Sequence, residues 1–387
     1  MSLWRLRLGL PAIILALCAC ATVPPPATAV VPTAAPAVAS PSPVPPTVAT
    51  APSTLTAAPT ASTLPAATAT PAATQLPAPS ATPKSALRQL TTGGCCAQPY
   101  WSADGSQVRY IDRPSSGQPS GIWAVGLTGG APVFVTDRVG IYSPDEKLVA
   151  YLDGGQTTIE RVGGDHWRVD NGGRAVVFSP DSSHIAWQAN SSLFNLDRRL
   201  VQVWVTAVDG TGARQVASLT GGSLAGWFPD GQHLLVTSRD GADTLIQSLS
   251  VAGGGPTTIV KVPRLQGLAL SPRGGWLAYV VAFSGDASQD GLWVIGTDGH
   301  GARRLDTFGS FAWQDEGHLI VIPLEDTSTV NRVLQVEAVS GRASPLTDPA
   351  VTPFQIAQGM WSLSPNGAHL AFVSAADHNI WVINLTE

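Results

Sequence analysis

Short apolar runs make up most of the chain from Leu87 onward. They are rich in β-branched and aromatic residues, and Gly, Asp-Gly or Ser-Pro-Asp separates each run from the next. No stretch of about ten residues keeps the period of an amphipathic helix. The pattern therefore predicts an all-β domain of short strands and tight turns.

One phrase recurs in this part of the chain: an aromatic residue or leucine followed by Ser-Pro-Asp-Gly or a variant of it. Its copies begin at Trp101, Tyr142, Phe178, Trp227, Leu270, Trp313 and Leu363. From Ser102 to Ser364 the mean interval is about 44 residues, which is typical of four-stranded propeller blades. The repeat therefore predicts a β-propeller.

Each repeat has the same order of parts. The phrase ends a first strand and forms a turn, a second strand follows, and a Gly-rich turn separates the third strand from the fourth. Several third strands carry a tryptophan that we expect to pack between blades: Trp123, Trp204, Trp293 and Trp381.

The last repeat ends after its third strand, whereas an extra strand-like segment precedes the first repeat. This segment, residues 87–91, resembles fourth strands such as residues 302–306. We therefore expect it to complete the last blade and close a ring of seven. The spacing alone also allows six or eight blades.

These residues resemble the TolB-type or WD40-like (PD40) propeller repeat of bacterial envelope proteins, whose signature is an aromatic residue followed by Ser-Pro-Asp-Gly. The best matches are Trp101–Gly105, Phe178–Asp181 and Trp227–Gly231, and the resemblance covers residues 87–387. It implies a propeller that binds proteins, since members of this family often serve as binding platforms. Related propellers precede a serine hydrolase domain, but the sequence contains no Gly-x-Ser-x-Gly elbow.

Residues 1–19 are predicted to be a lipoprotein signal peptide. Arg5 and Arg7 supply its basic start, and residues 8–17 its apolar core. The following Leu-Cys-Ala-Cys resembles a bacterial lipobox, in which Cys20 is the acylated position; the alternative is an ordinary signal peptide with an incidental cysteine. We expect an exported protein that its lipid anchors to the outer face of the bacterial cytoplasmic membrane or to the cell surface.

Residues 20–86 are predicted to be a disordered tether, because they consist mainly of Pro, Ala, Thr, Val and Ser and contain no aromatic anchor. Of the 22 basic residues, Arg5, Arg7 and Lys84 precede residue 87, whereas all 27 acidic residues follow it, so residues 87–387 carry a formal net charge of −8. This part of the chain has no basic cluster. We therefore expect no nucleic-acid partner.

Two recurring residue types could be mistaken for catalytic or metal sites. His184, His233, His318 and His369 follow the turns of four repeats, so a ring would place them on four different blades, too far apart for one metal ion. The turn aspartates have a local hydrogen-bonding role in hairpins. We therefore predict no metal, no cofactor and no catalytic residue.

Cys95 and Cys96 are not required by the repeat pattern. Once the signal peptide is removed and Cys20 is acylated, they are the remaining thiols in an oxidising compartment. A bond between adjacent cysteines closes a small, strained ring. We favour a structural disulfide; the alternatives are a flat apolar ligand contact and a redox switch.

The second-to-third loops and the blade-to-blade connections share one face of a propeller, and here they are long and irregular. Recognition residues usually lie on such loops. The predicted contacts are Arg113, Phe194, Asp197, Arg198, Arg199, Glu325, Asp326 and Phe354. We expect a monomeric propeller that binds a protein, peptide or envelope glycan without catalysis. The alternatives are a propeller hydrolase or lyase with a site in the central channel, and an extracytoplasmic sensor.

Overall fold

A computed structural model describes residues 87–94, 97–191, 198–324 and 329–386. These residues form seven four-stranded antiparallel sheets, the blades of a β-propeller. The prediction of an all-β, seven-bladed propeller is confirmed. The described residues contain no helix that could cross a membrane.

The strands follow one another in chain order. The chain begins with β1 (Leu87–Gln89), which belongs to the last blade. Blade 1 contains β2 (Ala97–Trp101), β3 (Gln107–Asp112), β4 (Gly121–Gly126) and β5 (Val133–Thr136). Blade 2 contains β6 (Ile141–Tyr142), β7 (Leu148–Asp153), β8 (Gln156–Arg161) and β9 (His166–Val169). Blade 3 contains β10 (Val177–Phe178), β11 (His184–Asn190), β12 (Leu200–Ala207) and β13 (Arg214–Thr220).

The remaining blades repeat this order. Blade 4 contains β14 (Ser223–Trp227), β15 (His233–Asp240), β16 (Asp243–Ser250) and β17 (Thr257–Pro263). Blade 5 contains β18 (Leu265–Leu270), β19 (Trp276–Val281), β20 (Gly291–Gly296) and β21 (Arg303–Arg304). Blade 6 contains β22 (Gly309–Trp313), β23 (His318–Pro323), β24 (Leu334–Glu337) and β25 (Ala343–Pro345). Blade 7 contains β26 (Ile356–Leu363), β27 (His369–Ser374), β28 (Ile380–Asn384) and β1.

The two ends of the propeller meet in blade 7, as the sequence predicted. Strand β1 pairs antiparallel with β28 in the register Leu87↔Ile383. The pairing continues past the strand, because the Leu90 amide donates to the Ile380 carbonyl at 2.8 Å. Leu90 is buried among residues of blades 7 and 1. The N-terminal segment therefore closes the ring both by hydrogen bonds and by packing.

The Ser-Pro-Asp phrase forms the turn between the first and second strands. In blade 2 the Ser143 hydroxyl donates to the Asp145 carboxylate at 2.7 Å and accepts the Leu148 amide at 3.0 Å. The hydroxyl therefore joins the carboxylate to the start of the next strand. Blades 1 and 3 make the same bonds through Ser102 and Ser179.

The ring has two unlike faces. The turn face carries the connections between first and second strands and between third and fourth strands. The loop face carries the second-to-third connections and the crossings between blades. Because β1 runs antiparallel to β28, the chain enters the propeller at the turn-face end of β1.

The core consists of apolar clusters between neighbouring blades. The third-strand tryptophans contribute to these clusters as predicted, since Trp123, Trp204, Trp293 and Trp381 all pack against them. Two of these rings stack on an aromatic residue of the neighbouring strand. The ring centroids are 6.1 Å apart for Trp187–Trp204 and 6.3 Å apart for Tyr279–Trp293.

Candidate functional site

Three of the residues that were predicted to contact a partner lie on the loop face, and their role in binding stays a prediction. Arg113 and Arg198 are exposed. Arg199 is half-buried, and its guanidinium donates to the Gly222 carbonyl at 3.3 Å. Arg199 is therefore held against the neighbouring crossing, whereas the other two side chains extend into solvent.

The prediction that Phe354 contacts a partner is wrong. Phe354 was expected on the surface, but only 6% of it is exposed, and its ring packs on Phe372 with centroids 5.3 Å apart. The crossing that carries it folds back onto Asn331. The Asn331 amide donates to the Phe354 carbonyl, and the Asn331 side chain accepts the Ile356 amide, both at 2.8 Å. Phe354 therefore belongs to the core between blades 6 and 7.

The other predicted positions lie outside the described residues. They are Cys20, Cys95, Cys96, Phe194, Asp197, Glu325 and Asp326. Their roles in lipidation, in a disulfide and in partner binding stay predictions.

The most exposed large apolar side chain among the described residues is Phe283, which was not among the predicted contacts. It directly follows β19 and Ala282 on the loop face, and 70% of it is exposed. Its φ of 60° lies in the left-handed region, which is unfavourable for a bulky residue. The Asp290 carboxylate accepts both the Phe283 amide and the Ser284 amide at 3.0 Å. These charge-assisted bonds hold the backbone in the conformation that presents the ring.

The rest of this loop, residues 282–291, is bonded to itself. Asp286 accepts the Ser288 amide at 2.9 Å and the Gln289 side chain at 3.1 Å. Hydrogen bonds from the Ser288 side chain and amide lower the pKa of Asp286, and bonds from Ser284 lower that of Asp290. The loop therefore presents Phe283 from a fixed scaffold that carries two negative charges and no basic residue.

Further exposed apolar side chains lie on the same face in other blades. They are Leu152, Leu200, Leu324 and Val351. Such side chains are normal on a surface when they are scattered singly. Phe283 differs from them because it is aromatic, more exposed and held in an unfavourable backbone conformation.

The turn face contains a shallow cleft of about 260 Å³ between blades 4 and 5, lined by Phe228, Pro229, Asp230, His233, Ser248, Arg273, Gly274 and Thr297. Within it, His233 Nδ1 lies 2.6 Å from Asp230 Oδ2. Burial raises the pKa of Asp230, but hydrogen bonds from the His233 side chain and from two amides outweigh this, so the pKa is lowered. The cleft holds a carboxylate that is already satisfied by its own turn.

The turn aspartates form local bonds, as predicted. The Ser102 hydroxyl, followed by the amide and side chain of Ser106, lowers the pKa of Asp104 to about 2. Bonds from Ser143 and Ser179 likewise lower the pKa values of Asp145 and Asp181 to about 2. Carboxylates with such low pKa values are poor proton acceptors near neutral pH. The repeated histidines begin β11, β15, β23 and β27, on four different blades.

With this fold, the chain is a seven-bladed β-propeller protein. Similar solved structures include the protein assigned as TolB in Agrobacterium tumefaciens, with 16% identity over 76% of this chain and 100% of that chain and a TM-score of 0.43. They also include dipeptidyl peptidase 4 of Porphyromonas gingivalis, with 13% identity over 73% of this chain and 49% of that chain and a TM-score of 0.48.

A third similar structure is oligogalacturonate lyase of Vibrio parahaemolyticus, with 14% identity over 78% of this chain and 94% of that chain and a TM-score of 0.39. No protein-family model and no curated protein matches the chain. At such low identities, the similarities concern the fold alone.

Phe283 could not be identified as exposed from the sequence. An aromatic residue next to a buried apolar strand is expected to extend that strand and to be buried with it. The one usable signal was its place at the start of a long polar loop, and the bonds to Asp290 become visible only in three dimensions.

Proposed function

We propose that this propeller is a non-catalytic binding platform that recognises a protein partner through its loop face. The observation that carries the proposal is Phe283, exposed on a loop that Asp290 holds in place. An aromatic residue whose backbone is already held in place loses less conformational freedom when it binds, and aromatic residues dominate binding energy at interfaces. Peptides and envelope glycans are further ligand classes for this face.

We further propose that the propeller belongs to an exported lipoprotein. Acylated Cys20 would anchor it to the membrane, and residues 20–86 would act as a spacer. The chain enters the propeller at the turn-face end of β1, which is opposite to the loop face. The exposed side chains of the loop face therefore lie on the side of the propeller opposite to the point where the chain enters it.

The test is photo-cross-linking from position 283 in intact cells, followed by binding measurements with the purified partner that is captured. Phe283→Ala should weaken binding by at least about ten-fold, because it removes an interface anchor. Val339→Ala is the matched control, since Val339 is also an exposed apolar residue but lies on the turn face. If both variants bind like the wild type, Phe283 is not a contact and the proposal fails.

A further inference from the structure

One repeat position distinguishes the interface between blades 1 and 2 from the others. The third residue of each second strand faces the next blade, and in blade 1 this residue is Arg109. The equivalent residues in the other blades are all apolar: Ala150, Ala186, Leu235, Ala278, Ile320 and Ala371. Blade 1 therefore places a cation where the other blades place an apolar side chain.

This cation has its partner in blade 2. Arg109 Nη2 lies 2.8 Å from Glu146 Oε2, and the other oxygen of Glu146 accepts the Ala103 amide at 2.7 Å. Tyr100 lies opposite Arg109 in the sheet, and burial raises its pKa. Among the described residues, an apolar cluster joins each of the other six pairs of neighbouring blades, whereas between blades 1 and 2 the ion pair accompanies the buried Ile122, Ala124 and Val149.

The outer rim of this interface is consequently open. Val135 is the bulged residue between the third and fourth strands of blade 1, and 43% of it is exposed. The bulged residues of blades 3 and 4, Val216 and Ile259, are only 7% and 8% exposed. Val133, which lies opposite Ala124 on the side of Arg109, is 62% exposed. These two valines are positioned as interface residues but are largely exposed and belong to none of the apolar clusters.

Blade 2 places basic and polar groups opposite them. His166 pairs with Glu160 in the sheet. Arg138, in the crossing from blade 1, lies 2.9 Å from the Glu160 carboxylate. The side of the sheet that carries Glu160 and His166 therefore faces blade 1. Arg168 lies two residues further along β9, and both His166 and Arg168 are exposed. Arg168 approaches Asp153 only at 3.8 Å. The open rim therefore has one apolar side, Val133 and Val135, and one polar side, on which the exposed His166 and Arg168 lie beside the Arg138–Glu160 ion pair.

The edge of β5 is also unprotected. Outer strands usually carry charged residues or proline, which discourage pairing with another chain. The other outer strands of the described blades do so through Arg88, Arg168, Arg214, Lys261, Arg303 and Pro345. Strand β5 has the sequence Val-Phe-Val-Thr, with neither. Its free edge is suited to the addition of another strand.

We propose that the open rim binds an extended peptide, which pairs with β5 as a fifth strand of blade 1. Its apolar side chains, at alternate positions, cover Val133 and Val135, and a carboxylate lies against His166 and Arg168. A second copy of this chain fits less well, because two rigid propellers joined through four-residue strands would bury far less than the roughly 1,200 Å² of a stable complex. A flexible peptide can also follow the surface beyond the strand.

A phage-displayed library of random dodecapeptides tests the proposal, with selected peptides titrated as synthetic, fluorescent probes. Bound peptides should alternate apolar residues and contain Asp or Glu. Val135→Lys should weaken their binding at least ten-fold, and Arg168→Gln should weaken it less, while Thr257→Lys on the outer strand of blade 4 leaves it unchanged. Val135→Thr, which keeps the shape and the β-propensity of valine, should reduce binding to an intermediate level. Binding should also slow hydrogen exchange of the β5 amides.

Two results would overturn the proposal. One is equal binding of the selected peptides to the wild type and Val135→Lys. The other is concentration-dependent dimerisation that Val135→Lys abolishes, which would assign the edge to a second copy. Phe283→Ala should not alter peptide binding at the open rim, so failure here is distinguishable from failure of the loop-face proposal.

Discussion

At the scale of single residues, Glu316 of blade 6 supplies the carboxylate that the turn of blade 5 lacks. In blade 5 Arg273 occupies the place of the turn aspartate. Glu316, from the turn of blade 6, accepts the Ser271 hydroxyl at 2.9 Å and the amides of Arg273 and Gly275 at 2.7 Å and 2.9 Å. The bonds from the Ser271 hydroxyl and the Gly275 amide are those that the local aspartate accepts in blades 1 and 2. The departure from the repeat at Arg273 is thus compensated across a blade interface.

Glu316→Ala should lower the free energy of unfolding by about 2 kcal/mol, because one hydroxyl and two amides lose a charged acceptor. Adding Arg273→Asp to this variant should recover at least half of the loss, since it restores the carboxylate found in blades 1 to 3. Urea denaturation followed by circular dichroism measures both values. Failure of the second substitution to recover stability would show that Glu316 does not replace the turn aspartate.

At the scale of elements, the turns between first and second strands depend on ionised carboxylates. The pKa values of Asp104, Asp145 and Asp181 fall from 3.8 to about 2, chiefly because a serine hydroxyl donates to each. Blade 7 has Asn366 at this position, and its side-chain oxygen still accepts the Ser364 hydroxyl at 2.7 Å. An amide oxygen can therefore replace the carboxylate without titrating.

The stabilisation by these aspartates should be complete above about pH 4 and should be lost as the pH falls through about 2. The reason is that the carboxylates stay ionised to a lower pH in the folded state than in the unfolded chain. In D104N/D145N/D181N the urea midpoint should fall less steeply between pH 4 and pH 2 than in the wild type. Asp165→Asn, an exposed carboxylate outside these turns, is the control. Equal slopes in the triple variant and the wild type would contradict this explanation.

At the scale of the whole molecule, the six interfaces other than that between blades 1 and 2 each contain an apolar cluster of described residues. The ring is closed at blade 7 by apolar packing around Leu90. The exception therefore does not coincide with the chain ends; it follows from the identity of residue 109. An ion pair such as Arg109–Glu146 costs desolvation when it forms, so it need not stabilise the ring more than apolar packing would.

Arg109→Ala should lower the free energy of unfolding by about 2 kcal/mol, because Glu146 is left in a mostly buried place without its cation. R109L/E146Q should be as stable as the wild type, since leucine matches Leu235 of blade 4 and glutamine keeps the bond to the Ala103 amide. Urea denaturation compares the three proteins. A double variant no more stable than Arg109→Ala would show that the ion pair itself holds these blades together.

Spacing and periodicity identified the fold, because every blade buries the same two faces and must repeat the same residues. The chemistry of Leu87–Thr91 likewise indicated which segment completes blade 7. Individual surface positions were less predictable. Phe354 lies in the core because its crossing folds back onto Asn331, and no local pattern encodes that contact.

The sequence by itself determined the propeller fold, the segment that closes the ring, the turns and the face that carries the long loops, whereas the structure decided between six, seven and eight blades. All of these depend on short-range patterns that recur along the chain. Only the tertiary structure decided that Phe283 is exposed on a backbone bonded to Asp290, that Glu316 accepts bonds from a neighbouring blade, and that the rim at β5 is open. Each of these depends on which side chains of different blades meet, and a repeat period does not specify such meetings.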